Sequence, residues 1–216
     1  MKLSHKLESD GAKIHRSDGP LTVKLEYRAF GGAPYPFVGA EYPAENAGGF
    51  VSVTGRELDE YQAMLELDPD APGQFLEVGP GLGAVIPYLA DRAKKGEIPV
   101  PIAIDSADIA GIREMLAYAI DRAALLEISD DTRERAKRLL TRCDLLLTSP
   151  HVRFHNMPLG NALAAYPDLA ASADHLVELY SASFYSSVEG STRMEIRKTL
   201  KTLVRDGGTY HRHYAQ

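Results

Sequence analysis

Hydrophobic and polar positions change their period several times along the first part of the chain. Residues 1–19 carry scattered charged side chains without an apolar period, which predicts a loosely held arm. From Leu21 to Tyr27 every second residue is apolar, which is the period of a half-buried strand. Residues 31–49 combine glycine, proline, alanine and aromatic residues. This composition predicts an irregular loop, either a lid that faces a substrate or a plain covering loop.

Helical spacing begins near residue 58. Leu58, Tyr61 and Leu65 recur at helical intervals, and Thr54 with Glu57 three residues later has the form of a capping box. Prolines and a glycine then cluster at residues 68–73 and end the helix. We therefore predict an N-terminal section at residues 1–73, made of arm, strand, loop and helix packing on the core, and a second domain at residues 74–216.

Strands and helices alternate in the second section. The pattern predicts strands at 74–78 and 100–104, each followed by a helix, at 82–94 and at 109–126 with Ser106 as its cap. A further helix is predicted at about 132–146. The remaining predicted elements are strands at 152–155, 175–180 and 209–214 and a helix at 193–204. Such alternation is typical of an α/β fold with a mostly parallel sheet and helices on both faces.

Composition narrows the class of protein. Hydrophobic residues make up 44% of the 216 residues and charged residues 25%, as in soluble globular proteins. The net charge of -6 disfavours nucleic acid as a partner, because phosphate backbones attract basic surfaces. No apolar run reaches the ~20 residues of a membrane span, so we predict no membrane partner and a cytoplasmic location. The single cysteine, Cys143, excludes an internal disulfide.

A glycine-rich segment follows the strand predicted at 74–78. Gly79, Gly81 and Gly83 alternate with other residues and lead into a helix, so the backbone turns tightly and can approach a ligand at a helix N-terminus. This pattern indicates a site for a nucleotide-like cofactor. Gly79, Gly81 and Ala84 also satisfy the dinucleotide fingerprint, so the glycines alone leave NAD open.

Two acidic residues bear on the choice of cofactor. Glu77 precedes the first glycine, where a carboxylate would repel a pyrophosphate and attract an ammonium or sulfonium group. Asp105 ends the next strand, 26 residues after Gly79, where it can accept hydrogen bonds from ribose hydroxyls. The ribose contact suits an adenosyl cofactor and NAD equally, whereas Glu77 favours a cofactor with positive charge.

The segment Leu76-Glu77-Val78-Gly79-Pro80-Gly81-Leu82-Gly83 resembles motif I of the class I S-adenosylmethionine-dependent methyltransferases. Asp105 is similar to the acidic residue after their second strand. The resemblance implies a Rossmann-like fold over residues 74–216 and S-adenosylmethionine as cofactor. The residues that it assigns to this cofactor are Glu77, Gly79, Pro80, Gly81, Gly83 and Asp105.

Further positions follow only from that resemblance. It implies that Asn156 and Met157, after the third strand, contact the adenine. It also implies that Tyr180, with Ser181 and Tyr185, lies near the cofactor methyl group and the acceptor. The family adds a helix and two antiparallel strands after the fifth strand, so we expect this chain to be truncated or its sheet shortened. The 46-residue interval between Asp105 and His151 has room for two helices where the family has one.

Other chemistry has little support in the sequence. Phosphate-loop, nucleophile-elbow and zinc-helix motifs are absent. His151 with His155, and His211 with His213, lack a clustered thiol or carboxylate, so no metal site is predicted. We predict a methyltransferase acting on a small-molecule or other non-nucleic-acid acceptor, with catalytic residues and oligomeric state unassigned. The alternatives are an NAD(P)-dependent oxidoreductase and a non-catalytic protein that binds an adenosyl cofactor.

Overall fold

A computed structural model describes residues 2–9, 11–30, 33–44, 49–179 and 193–212. These residues form ten β-strands and six α-helices. The chain divides into two compact units, each built from two separate stretches of sequence. The first unit is Met1–Gly55 with Asp108–Asp144, and the second is Arg56–Ala107 with Leu145–Gln216. The boundary predicted at residue 73 stays a prediction.

The elements are numbered in chain order. The strands are β1 Leu3–Glu8, β2 Gly11–Arg16, β3 Thr22–Phe30, β4 Ala33–Ala44, β5 Gly49–Thr54, β6 Phe75–Val78, β7 Ile102–Ile104, β8 Arg153–His155, β9 Ala173–Glu178 and β10 Val204–Arg212. The helices are α1 Leu58–Leu65, α2 Val85–Lys94, α3 Ile109–Asp121, α4 Asp130–Thr148, α5 Leu159–Ala165 and α6 Arg193–Lys201. No helix within these ranges combines the length and the apolar character that crossing a membrane requires.

The first unit is built on an antiparallel sheet in which each strand from β1 to β5 pairs with the next. Alternate residues of β2 and β3 are buried, among them Ile14, Val23 and Leu25. The prediction of a loosely held arm at residues 1–19 is therefore wrong, because β1 and β2 form a paired hairpin there. The prediction of an irregular loop is also wrong over β4, which pairs with β3 from Ala33 to Glu41.

Gly11 is placed where a side chain would disrupt the pairing of β2 with β3. Its φ is +156°, and a Cβ built on it would overlap the backbone carbonyl oxygen of Leu25 in β3. We expect Gly11→Ala to lower the free energy of unfolding by about 2 kcal/mol, through backbone strain and separation of β2 from β3. Denaturant unfolding would measure the change. Gly19→Ala is the matched control, because a Cβ there meets nothing within 4 Å; equal stability of the two variants would contradict the prediction.

The helices that follow β7 confirm one prediction and correct another. Two helices, α3 and α4, occupy the interval between Asp105 and His151, as its length indicated. The predicted cap Ser106 is wrong: Asp108 is the N-cap of α3, and its carboxylate accepts a hydrogen bond from the Gly111 N–H at 2.8 Å. Helix α3 and the larger part of α4 belong to the first unit.

The N-cap of helix α1 lies three positions after the predicted cap, Thr54. Glu57 is its N-cap, and the Glu57 N–H donates a hydrogen bond to the Glu60 carboxylate at 2.9 Å. The predicted pairing of Thr54 with Glu57 is therefore wrong, although the helix itself is confirmed. A carboxylate replaces the expected hydroxyl because it too accepts hydrogen bonds from first-turn N–H groups. Helix α1 belongs to the second unit.

The second unit confirms the α/β prediction. Among the described strands, β10, β9, β6, β7 and β8 form, in that spatial order, a sheet in which every neighbouring pair is parallel. All four residues of the central strand β6 are buried, as expected for a strand covered on both faces. On one face Phe75 packs with residues of α1 and α2. On the other face Leu76 and Val78 pack with residues of α5 and α6.

Candidate functional site

The glycine turn lies at the carboxyl end of β6, between this strand and α2. Gly79 and Gly81 have φ angles of +68° and +53°, in the left-handed region that side-chain-bearing residues rarely adopt. Pro80 between them is buried. The turn therefore has the strand–glycine–helix arrangement that the sequence indicated.

Most of the N–H groups of this turn already have partners within the second unit. Gly79 donates to the Ile104 carbonyl at 2.8 Å, and Gly83 donates to the Pro80 carbonyl at 2.9 Å. Ala84 donates to the Arg56 carbonyl at 2.9 Å. Gly81 donates to Asp105 Oδ2 at 2.8 Å. Pro87, in the first turn of α2, has no N–H to offer. These contacts leave few donors for the oxygens of a phosphate group.

Glu77 is a carboxyl group buried beside the turn. Its side chain is 1% exposed, and its Oε2 has no hydrogen-bond partner among the described residues. Burial raises the pKa of Glu77 to about 8; a hydrogen bond with Tyr61 acts against this rise, and the charge of Asp105 adds to it. The free protein thus holds Glu77 largely as the neutral acid at pH 7. A buried acid with an unused oxygen is costly unless a ligand compensates it.

Tyr61 of α1 is a site residue whose spacing in the sequence indicated only a position in a helix. Its side chain is 3% exposed and hydrogen-bonds the Glu77 carboxyl. A Cβ built on Gly83 would overlap the Tyr61 hydroxyl. Gly83 therefore provides the space in which Tyr61 reaches Glu77. The predicted contact of Gly83 with the cofactor stays a prediction.

Asp105 follows β7 and fastens the glycine turn to that strand. Its Oδ2 accepts the Gly81 N–H, and its Oδ1 accepts the Ala107 N–H at 2.8 Å. Burial raises the pKa of Asp105, and the backbone hydrogen bonds act in the opposite direction. A carboxylate has about four lone-pair sites, so Asp105 retains capacity for a further donor such as a hydroxyl. Its predicted contact with a ribose stays a prediction.

The residues predicted after the third strand lie close to Asp105. Asn156 follows β8, and its Nδ2 donates to the Asp105 carbonyl at 2.8 Å and to the Ala107 carbonyl at 2.7 Å. Met157 is partly buried against the core on the α5 face of the sheet. Asn156 thus ties β8 to the loop after β7. The predicted adenine contacts of both residues stay predictions. The predicted residues Tyr180, Ser181 and Tyr185 lie outside the described residues.

A second buried carboxyl group lies at the end of β9. Glu178 is 2% exposed, and Tyr210 of β10 donates a hydrogen bond to its Oε2 at 2.5 Å. Burial, together with the Glu178 charge, raises the pKa of Tyr210. Because Val177 is the β-sheet partner of Glu77, Glu178 belongs to the opposite face of the sheet. The two buried carboxyl groups therefore lie on different faces of the sheet.

Two histidines of the second unit, His155 and His175, pack against aromatic rings. His155 is buried with its ring centroid 4.1 Å from that of Tyr166, and burial lowers its pKa. His175 is stacked on Phe75 at 4.5 Å. Within the described ranges no three histidine, cysteine or acidic side chains come together as a metal site. His213, one of the predicted pair, lies outside these ranges.

The geometry therefore joins Glu77, the glycine turn and Asp105 in one place and adds Tyr61 to them. Comparison of the chain with protein-family models, with curated proteins and with solved structures finds no match. The interpretation of the site rests accordingly on its own residues.

Proposed function

We propose that this protein is an S-adenosylmethionine-dependent methyltransferase with a Rossmann-like second unit. The observation that carries the proposal is the Glu77 carboxyl, buried with an unused oxygen directly before a left-handed glycine turn. The ammonium of the amino-acid part of the cofactor donates a hydrogen bond to this oxygen and brings a positive charge next to the carboxylate. The other candidate contacts, Asp105 above all, lie around the same turn.

The order of the strands supports this location for a ligand. From β6 the chain continues to β7 on one side, whereas β9 and β10 lie on the other side of β6. The direction of winding thus reverses between β6 and β9. In doubly wound sheets ligands bind outside the carboxyl ends of the strands at such a reversal. Glu77 and the glycine turn lie at that end of β6.

The hydrogen bonds of the turn favour an adenosyl cofactor over a dinucleotide. A pyrophosphate is held by free N–H groups at a helix N-terminus. Here the N–H groups of Gly79, Gly81, Gly83 and Ala84 are already used within the protein. Glu77 adds a carboxyl group where a pyrophosphate brings negative charge. Both observations oppose the NAD(P)-dependent alternative.

The roles proposed for the chain are binding and orientation. Glu77 holds the ammonium, Gly79 and Gly81 let the backbone approach the ligand, and Asp105 accepts from the ribose. S-Adenosylmethionine supplies an electrophilic methyl group on its sulfonium. Transfer to an acceptor in line with that bond requires alignment above all, so few catalytic side chains are needed.

The net charge of -6 supports a small-molecule or other non-nucleic-acid acceptor. A cytoplasmic location stays part of the proposal.

Calorimetric titration with S-adenosylhomocysteine, beside NAD, tests the proposal. We expect S-adenosylhomocysteine to bind with a Kd of about 1–100 µM and NAD to show no saturable heat. The titration is repeated with Asp105→Ala, and Ser106→Ala is its matched control, because Ser106 adjoins Asp105 but its side chain is exposed and has no predicted contact with the cofactor. Binding of NAD without binding of S-adenosylhomocysteine would overturn the proposal in favour of an oxidoreductase. Cofactor binding without transfer to any acceptor tried would favour a non-catalytic binding protein.

A further inference from the structure

Tyr61 is hydrogen-bonded to Glu77, and this contact is not needed if Glu77 acts only as an ionised carboxylate that binds an ammonium. Glu77 lies on the face of the sheet that α1 and α2 cover, and its own β-sheet partner on β9 is Val177. The core on this face includes Val85 and Leu89 of α2, which do not titrate. The polar groups that act on Glu77 are the Tyr61 hydroxyl from α1 and the Asp105 carboxyl after β7.

These neighbours set the state of the Glu77 carboxyl before a ligand arrives. Asp105 brings negative charge, and the surrounding side chains exclude water, so both oppose ionisation of Glu77. No described cation pairs with Glu77, and its Oε2 has no described partner. The Tyr61 hydroxyl is the one contact that favours the ionised form. The site therefore holds a proton where a cationic ligand requires negative charge.

We propose that Glu77 and Tyr61 form a proton-exchange site, in which the ammonium of the ligand replaces the proton of the Glu77 carboxyl and the Tyr61 hydroxyl orients the resulting carboxylate. This inference rests on the proposed function. The O–H bond of the Glu77 carboxyl breaks, its electron pair stays on the carboxylate, and the proton passes to the buffer. Tyr61 is a positioning residue in this scheme. Its access to Glu77 depends on the absence of a side chain at Gly83.

Proton release on binding distinguishes this scheme from an anchor that is already ionised. We expect S-adenosylhomocysteine to release about one proton per molecule bound at pH 6.5, and progressively less as the pH rises above 8. Affinity rises with pH over the same interval, since less work is needed to ionise the carboxyl. Glu77→Gln should bind more weakly and release no proton. Titrations in two buffers of different ionisation enthalpy give the number of protons released.

Tyr61→Phe tests the positioning role. Removing the hydroxyl should weaken binding about 10-fold at pH 7, the effect of one hydrogen bond to a charged group. It should also move the proton-release profile to higher pH, because the carboxylate loses its stabilising donor. A purely structural role for Tyr61 would weaken binding equally at every pH. Tyr88→Phe is the matched control: Tyr88 packs against the same core, but its hydroxyl donates to Asp70.

The outcomes separate this inference from the proposed function. Binding of S-adenosylhomocysteine without proton release between pH 6 and 8 would overturn the proton exchange and leave the proposed function intact. Proton release whose pH profile is the same in Tyr61→Phe as in the parent protein would overturn the role of Tyr61. A folded protein that binds no S-adenosylhomocysteine at any pH would overturn both proposals.

Discussion

Replacement of Asp105 by alanine is expected to reduce the affinity for S-adenosylhomocysteine by at least about 100-fold, through loss of charge-assisted hydrogen bonds to the ribose. The same change removes the acceptor of the Gly81 N–H and of the Ala107 N–H. Each N–H left without a partner costs about 1–3 kcal/mol, so the free energy of unfolding should also fall. Calorimetry and denaturant unfolding of the same preparation measure the two effects.

The Asp108→Ala variant is a control that lowers stability without changing the contacts of the glycine turn. Asp108→Ala removes a carboxylate that accepts the Gly111 N–H at the start of α3, in the first unit. This change should lower the free energy of unfolding by about 1 kcal/mol, the usual cost of losing an N-cap. It should leave the affinity for S-adenosylhomocysteine unchanged. Unaltered affinity of Asp105→Ala would exclude Asp105 as a cofactor contact.

Glu77→Gln is expected to affect stability and affinity in opposite directions. The folded protein holds the pKa of Glu77 at about 8, against an ordinary value of 4.5 in the unfolded chain. Between these values the folded state binds more protons, so the parent protein loses stability as the pH rises from about 4.5 to 8. Glutamine does not titrate. At pH 7 the variant should therefore be more stable, by an amount on the order of 3 kcal/mol.

The affinity of the same variant should fall by about 30-fold or more, because the ammonium loses its charged partner. Denaturant unfolding at pH 5, 7 and 8 measures the stability, and the two proteins should converge towards pH 5. Glu97→Gln is a matched control: that side chain is 46% exposed beside Arg92, and its replacement should have little effect. A Glu77→Gln protein that is less stable than the parent at pH 8 would contradict the prediction.

The centre of the site could be predicted from the sequence because its signals are local. A buried strand, a glycine turn and a helix occupy fewer than ~30 consecutive residues, as in other βα units. The alternation of strands and helices then identified the parallel sheet and placed Asp105 at the carboxyl end of its second predicted strand. Parallel strands bring their carboxyl ends to one edge, so the proximity of Glu77 and Asp105 followed without knowledge of any contact.

Tyr61 could not be predicted in the same way. It lies in an amphipathic helix, where its spacing with Leu58 and Leu65 indicates core packing alone. Its hydrogen bond with Glu77 depends on how α1 lies against the sheet, which no local pattern encodes. Gly83 was a partial indication in the sequence, because a glycine inside a predicted helix usually has a packing or functional reason. That signal does not say which side chain occupies the space.

The N-terminal strands were missed because their apolar content is small. In β2 only Ala12 and Ile14 are apolar and buried, and in β1 most positions are polar. The dipeptide Asp10-Gly11 was the available signal in the sequence, since Asp-Gly is typical of hairpin turns. The two helices after β7 were predicted from length and spacing. Their membership of the first unit was not, because an apolar helix face does not indicate which sheet it covers.

Between β7 and β8, both in the second unit, the chain contributes a helix and most of another to the first unit. This connectivity affects how the protein folds while it is being synthesised. Helix α3, whose Ile112 and Met115 are fully buried, is synthesised only after β6 and β7 of the other unit. The second unit in turn waits for β8, β9 and β10. Neither unit is complete when the ribosome has passed residue 107; the first is complete at residue 144, whereas the second waits for the residues that follow. Nascent chains of this protein therefore depend on late residues for both cores, and chaperones have a longer period in which to bind them.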